Sequence, residues 1–188
     1  MRLCLVRHPK PDVVSGTCYG RTDVPILTSW QEEASRLSAL LRQCLPNASY
    51  FHSPLSRARL LGEMLDEHSA PIAELQELDF GNWEGRLWQD IPEPEIRSWS
   101  AELATAAPYQ GESLQDLKSR VMPLIKSMAE GDRDCVLVTH SGVIKVIVSE
   151  LCCWPLEKCS PINPDFLSYT LLTINGEFVT LDCLGSRA

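Results

Sequence analysis

The chain has 188 residues, 44% of them apolar and 22% charged, with a formal net charge of −8. That composition belongs to a globular chain burying roughly 70% of its unfolded surface and excludes a disordered or fibrous one. The negative balance excludes a general nucleic-acid binder, which needs a basic face to displace phosphate counterions, although a local arginine pocket can still hold a small phosphorylated ligand.

Arg2 to Val6 reads as a short buried strand that ends at a proline-limited loop. Residues 9 to 27 carry irregularly spaced prolines and glycines without a period, so a long loop is expected, and loops of that length in compact domains are usually functional. Thr28 is then a candidate N-cap, with Glu32 and Glu33 in the first turn and a helical stripe of Ala34, Leu37, Leu40, Leu41 and Leu45. Ser49 to His52 reads as a second strand, SPLSRARLLGEMLDEH as a helix opening on a proline, and Pro71 to Leu75 as a third strand. Glu84 to Tyr109, rich in tryptophan and proline, predicts short helices with irregular links. Ser113 to Glu130 predicts a helix interrupted or kinked near Pro123. In DCVLVTHSGVIKVIVSELCCW a β-branched strand, Cys135 to Thr139, runs into His-Ser-Gly and an apolar helix. Phe166 to Ile174 and Phe178 to Leu184 predict a hairpin around Asn175-Gly176. Strands alternating with helices predict one α/β domain over residues 1–188, a three-layer sandwich with a mostly parallel central sheet flanked by helices. Ligands in such sheets bind at the carboxyl ends of the strands.

No apolar run reaches the roughly 18 residues of a spanning helix. The amino terminus has a charge inside its apolar run and no small-residue cleavage site, so the expected location is cytoplasmic, away from any membrane. The eight cysteines include no C-x-x-C pair and mostly fall inside predicted elements, so reduced thiols are expected. A metal held by Cys152, Cys153 and Cys159 is the weaker alternative.

The polar residues at strand ends form one constellation. The first strand delivers Arg7 and His8, the second His52 and then Arg57, and the strand before the most apolar helix delivers His140, Ser141 and Gly142. A parallel sheet puts these ends on one edge. ELQELDFGNWEG supplies Glu74, Glu77, Asp79 and Glu84 as candidate acids. Such a set suits in-line phosphoryl transfer to a histidine nitrogen. Nearby guanidinium groups keep the nucleophile neutral and grip the phosphoryl oxygens. A second imidazole and the helix-start N–H groups stabilise charge on the transferring group. A glutamate protonates the leaving alkoxide and then activates water. This chemistry needs no metal or other cofactor.

LVRHPKP resembles the R-H-G signature of the histidine phosphatase (phosphoglycerate-mutase-like) superfamily, SPLSRARLL its S-x-x-x-R-A motif, ELDFGNWEG the segment carrying its acid, and VTHSGVIK its second-histidine motif. The four motifs occur in order along nearly the whole chain. The resemblance implies His8 as phosphohistidine nucleophile, Arg7, Arg57 and His140 as phosphate pocket, and Glu77 as acid/base, with Glu84 the runner-up. GTCYGRTDVP is similar to the loop of α-ribazole phosphatases, the cobalamin-pathway branch of the family. Tyr19 and Gly20 fall where that loop contacts phosphate, and Ser141 and Glu84 join them as substrate-binding candidates. The long insert and adjacent arginine pair of the mutases are absent, which favours hydrolysis. Two positions depart from the pattern. Pro9 replaces the usual glycine, removing an N–H and restricting His8, and Val14 replaces a phosphate-binding asparagine. Neither removes a core catalytic group.

The reading is therefore a metal-independent phosphomonoesterase working on α-ribazole 5′-phosphate. The alternatives are a sugar-phosphate or phosphoserine phosphatase of the same superfamily and a phospho-ligand-binding module without turnover. The expected partner is a small phosphorylated metabolite; monomer and homodimer both stay open. His52 is read as packing near the pocket, Arg59 as a solvated helix residue, His68 as a surface residue and Lys145 as structural. Trp83 or Trp88 is a candidate stacking partner for an aromatic leaving group.

Overall fold

A computed structural model describes all of residues 1–188. Its centre is β4 (Cys135–Thr139), a strand buried at every position because it is covered on both faces. β1 (Arg2–Arg7) and β2 (Ser49–His52) pair with it in parallel on either side. A two-residue strand, β3 (Ala70–Pro71), extends the sheet beyond β2. Beyond β1, the hairpin of β5 (Tyr169–Asn175) and β6 (Phe178–Ser186) adds two antiparallel strands, giving the order β3-β2-β4-β1-β5-β6. The expected α/β fold, a mostly parallel central sheet flanked by helices, is the one observed.

The alternation of side chains along each strand divides the core in two. Leu3, Leu5, Cys135 and Leu137 face α4 (Leu114–Glu130) and α5 (Ser141–Leu151), where they meet Leu117, Val121, Ile125, Val143 and Ile147. Cys4, Val6, Val136 and Val138 face α1 (Gln31–Cys44) and α2 (Ser56–Leu65), meeting Leu37, Leu41, Ala58 and Leu61. A third, small cluster of Cys18, Trp83 and Ile91 lies beneath α3 (Glu93–Ala101), with Phe80, Trp88 and Trp99 packed against it.

Some boundaries differ from the sequence pattern. α1 starts at Gln31, with Trp30 rather than Thr28 at its N-cap and no side-chain cap bond. The strand expected over 71–75 is only two residues long; the chain turns into a 3-10 turn, Ala73–Leu75, which buries Leu75. α4 runs uninterrupted through Pro123, supported at its start by a capping box in which Ser113 and Asp116 satisfy each other's backbone N–H groups. β5 begins at Tyr169, leaving Phe166 in the preceding loop, and Gly176, at φ +62°, makes the turn into β6. No helix is long and apolar enough to cross a membrane.

Because β1, β2 and β4 are parallel, their carboxyl ends share one edge. The backbone locks that edge: the His8 N–H donates to Thr139 O at 3.0 Å and the Ser53 N–H to Val138 O at 2.9 Å. The residues following β1 and β2 are thereby pinned to the end of β4, beside His140.

Candidate active site

His8 is 2% exposed. Its Nδ1 lies 2.6 Å from the carbonyl oxygen of Pro9. A carbonyl only accepts, so Nδ1 carries the proton and Nε2 keeps the lone pair. Burial first, then the charges of Arg57 and Arg7, hold the imidazole well below the usual histidine range, against the opposing hydrogen bond to Pro9. His8 is therefore neutral at neutral pH with a nucleophilic Nε2. Pro9 is compatible with this geometry because what the position contributes is a carbonyl.

Arg7 donates through Nη1 to Pro164 O at 2.7 Å, and its guanidinium carbon sits 3.9 Å above the centre of the Phe166 ring. The same ring lies 5.6 Å from that of His8, so one aromatic side chain supports both catalytic candidates. Arg57 is fully buried in the first turn of α2. Its Nη1 donates to Thr22 O at 2.9 Å and its Nη2 to Gly20 O, and the Tyr19 ring lies 5.4 Å from its guanidinium carbon. Burial raises the Tyr19 phenol, opposed by Arg7 and Arg57.

His140, also fully buried, is the N-cap of α5, and its ring centroid is 5.0 Å from that of His8. Burial, then the neighbouring His8, Arg57, Arg7 and Arg120, push its pKa well down. Its Nε2 is 2.8 Å from Ser53 Oγ. Ser53 Oγ accepts the Leu55 N–H at 3.4 Å and keeps both its proton and a second lone pair for Nε2, so His140 presents Nδ1 to the site as donor or acceptor according to its tautomer. Three buried nitrogens at this site have no protein partner: Arg7 Nε, Arg57 Nε and His140 Nδ1. Buried polar atoms without partners cost stability unless a ligand meets them.

Glu77 arrives from the irregular segment after β3, 9% exposed. One carboxylate oxygen accepts the Leu78 N–H at 3.0 Å and the other the Gly142 N–H at 3.1 Å, at the start of α5. A Cβ at Gly142 would collide with this carboxylate, so the approach requires glycine there. Ser141 is the first residue of α5 and, with Glu77, faces a neighbouring cavity. Arg120 of α4 fixes the acid's segment from behind, donating to the carbonyls of Glu74, Gln76 and Glu77 while pairing with Glu112 at 2.8 Å.

Arg7, His8, Arg57, Glu77 and His140 thus come together, with Tyr19 beside both arginines. Other candidates fall elsewhere. Glu84, expected as substrate ligand or alternative acid, instead takes four loop donors: the N–H groups of Arg21, Thr22 and Phe80 and the Thr22 hydroxyl. Burial works to raise its carboxyl, but these bonds outweigh it and hold the group below the usual carboxylate range. Gly20 lies against Leu78 O and Glu84 too closely for a Cβ, and its carbonyl serves Arg57. Asp79 pairs with Arg21 at 3.6 Å, and Glu74 is exposed. Val14 is 71% exposed. His52 packs its ring against Gly62 on α2. Trp83, a stacking candidate, is buried, with its Nε1 donating to Glu95 at 2.8 Å. Trp99 lines the cavity instead.

Sequence reasoning missed Ser53, Phe166, Arg120 and Glu112. Ser53 opens SPLSRA and so had a motif signal. Arg120 reaches the acid's segment from more than 40 residues away and Phe166 lies far from Arg7 in the chain, which no local pattern reports, and Glu112 is recognisable only through Arg120.

A family profile described as the Histidine phosphatase superfamily (branch 1) matches residues 3–186. The adenosylcobalamin/alpha-ribazole phosphatase of Salmonella typhimurium is 31% identical, with 100% of this chain and 98% of that protein covered. The glucosyl-3-phosphoglycerate phosphatase of Mycolicibacterium vanbaalenii is 27% identical, with 84% and 76% covered. The crystal structure of the alpha-ribazole phosphatase from Shigella flexneri superposes with a TM-score of 0.88 at 29% identity, covering 100% of this chain and 98% of that one.

Proposed function

This chain belongs to the histidine phosphatase superfamily and is a phosphoric monoester hydrolase, and from that premise we propose that it works through a phosphohistidine on His8 without a metal. The observation that carries the reading is the trio of buried, partnerless nitrogens, Arg7 Nε, Arg57 Nε and His140 Nδ1, beside an imidazole held neutral with Nε2 free. Two guanidinium groups supply the positive charge that a metal supplies elsewhere, and they match tetrahedral oxyanions in geometry.

In the first half-reaction His8 Nε2 attacks phosphorus in line as the bond to the ester oxygen breaks. Arg7, Arg57 and His140 meet the equatorial oxygens, and Glu77 gives its proton to the departing alcohol. In the second, Glu77 takes a proton from water, water attacks the phosphohistidine, and phosphate leaves with His8 neutral again. Glu77 is the acid rather than Glu84, because both carboxylate oxygens of Glu84 are taken by the N–H groups of Arg21, Thr22 and Phe80.

Within this class the proposed substrate is α-ribazole 5′-phosphate. Full-length similarity to named α-ribazole phosphatases and the matching GTCYGRTDVP loop support it. The test is turnover of p-nitrophenyl phosphate and of α-ribazole 5′-phosphate in EDTA, by the wild type and His8→Ala, with mass detection of phosphorylated His8. We expect EDTA-resistant turnover that falls by about 10⁴-fold in the variant. Activity abolished by EDTA, or retained in His8→Ala, overturns the mechanism. A kcat/KM for α-ribazole 5′-phosphate no better than for glucosyl-3-phosphoglycerate overturns the substrate.

A further inference from the structure

Beyond Glu77 lies a cavity of about 210 Å³. Glu77 and Ser141 form its rim on the side of the chemistry, Phe80, Trp99 and Leu103 supply apolar wall, and Lys145 is its one cation. If Glu77 protonates the departing oxygen, the alcohol attached to that oxygen extends past Glu77, into this space. Lys145 follows Ser141 by one helical turn, so it stands about 6 Å further along α5.

Sequence spacing alone reads Lys145 as structural, but its surroundings are unlike those of a structural lysine. It is partly buried, yet makes no hydrogen bond and no ion pair, whereas the neighbouring Lys118 pairs with Glu150 at 2.6 Å. A lysine that merely covers apolar surface carries its ammonium out to water. Lys145 contributes to the lining of the cavity, and its charge opposes the burial that raises the Cys159 thiol on the same wall. An unpaired ammonium on a cavity wall favours an acceptor from the ligand, and an anionic acceptor most of all.

We propose that this cavity is the leaving-group subsite and that Lys145 selects alcohols with an apolar body and a hydrogen-bond acceptor at the end away from the ester oxygen. The proposal rests on the phosphomonoesterase reading and specifies which esters that site prefers. Phe80 and Trp99, which meet edge to face, supply apolar wall to the body, and Lys145 donates to the acceptor at its far end.

Phenyl phosphate and 4-carboxyphenyl phosphate isolate the contact, since they share a ring and differ by an acceptor at the right reach. The kcat/KM ratio of the second to the first is measured for the wild type, Lys145→Met and Lys145→Arg. Any electronic difference between the two phenols is common to all three proteins and cancels in the comparison. We expect a wild-type ratio raised about tenfold over that of Lys145→Met, as one charge-assisted contact allows, and largely restored in Lys145→Arg. The same ratio in all three proteins overturns the proposal while leaving the mechanism standing. Failure of the wild type to hydrolyse either ester overturns the phosphomonoesterase reading first. Circular dichroism and thermal melting establish that the variants are folded, and a variant that melts early is replaced by Lys145→Gln, for which the same ratio is expected.

Discussion

The two sides of the site are built by different means. The phosphate side, Arg7, His8, Arg57 and His140, sits on or directly beside the ends of β1, β2 and β4, and backbone bonds to Thr139 and Val138 fix its frame. The leaving-group side, Glu77, Phe80, Trp99 and Leu103, comes from a long excursion between β3 and α4, made of 3-10 turns and one short helix. Every phosphomonoester presents the same phosphoryl group, so the first side can be rigid and invariant in purpose. Alcohols differ, and the second side is carried by a segment whose reshaping leaves the sheet intact. The division predicts that substitutions on the first side lower activity uniformly, whereas those on the second change the ranking of substrates.

The largest break is Arg57→Lys. Lysine keeps the charge but loses the fork that grips the Thr22 and Gly20 carbonyls while presenting Nε to the phosphate. We expect kcat/KM to fall by roughly 10² to 10³-fold, by the same factor for aryl and alkyl phosphates. A loss confined to one class of leaving group would break the division. Glu77→Gln gives the contrasting result: a loss of roughly 10²-fold on alkyl phosphates, whose alkoxides need the proton, and a much smaller one on p-nitrophenyl phosphate. Arg120→Met should reproduce that asymmetry at about tenfold, because Arg120 holds the carbonyls of Glu74, Gln76 and Glu77 and no substrate atom. A uniform loss in Arg120→Met would make it a general stability residue instead.

Glu84→Gln sharpens the comparison differently. Glu84 lies in the leaving-group segment by sequence, yet through Arg21 and Thr22 it shapes the loop whose carbonyls hold Arg57. An amide there turns an NH₂ toward N–H donors. The expected loss is about tenfold, uniform across leaving groups, with about 1 to 3 kcal/mol of stability from the mismatched donors, read by urea denaturation. Rank changes among substrates would instead place Glu84 in contact with the alcohol.

This crossing also explains what could be read from the sequence. The strand–helix order, the sheet edge and the arrival of Arg7, His8, Arg57 and His140 were legible, because a parallel sheet converts strand ends into neighbours by rule. Glu77 was legible through its motif. The donors around Glu84 were not legible, because a motif reports that a carboxylate is present, not which groups surround it. Phe166 was placed in a strand, whereas β5 begins three residues later and leaves its ring free to sit under Arg7. Lys145 reads as structural from the sequence, because a lone cation on an apolar helix carries no motif, and its place on the cavity wall is seen only in the fold.

The smallest effect is on stability, and it too separates the two sides. His8 and His140 are buried, and their pKa values are lowered, by burial first and then by neighbouring positive charge. A histidine whose folded pKa is below its unfolded value binds more protons when unfolded, so stability rises with pH across that interval. The contribution is complete above the ordinary histidine value of 6.5 and is lost as pH falls below it. Each histidine gives a slope of about 1.4 kcal/mol per pH unit until its own folded pKa is reached. Urea midpoints taken from pH 7 down to pH 5 should therefore fall steadily. Glu84, whose pKa is lowered, adds a loss of the same sign only at pH values below the ordinary carboxylate range. His8→Gln removes one of the two titrating groups and should roughly halve the slope. Lys145→Met, on the other side of the site, should keep the wild-type slope. Equal slopes in wild type and His8→Gln would mean that His8 is not held neutral by the fold, and the free Nε2 lone pair assigned to it would lose its electrostatic basis.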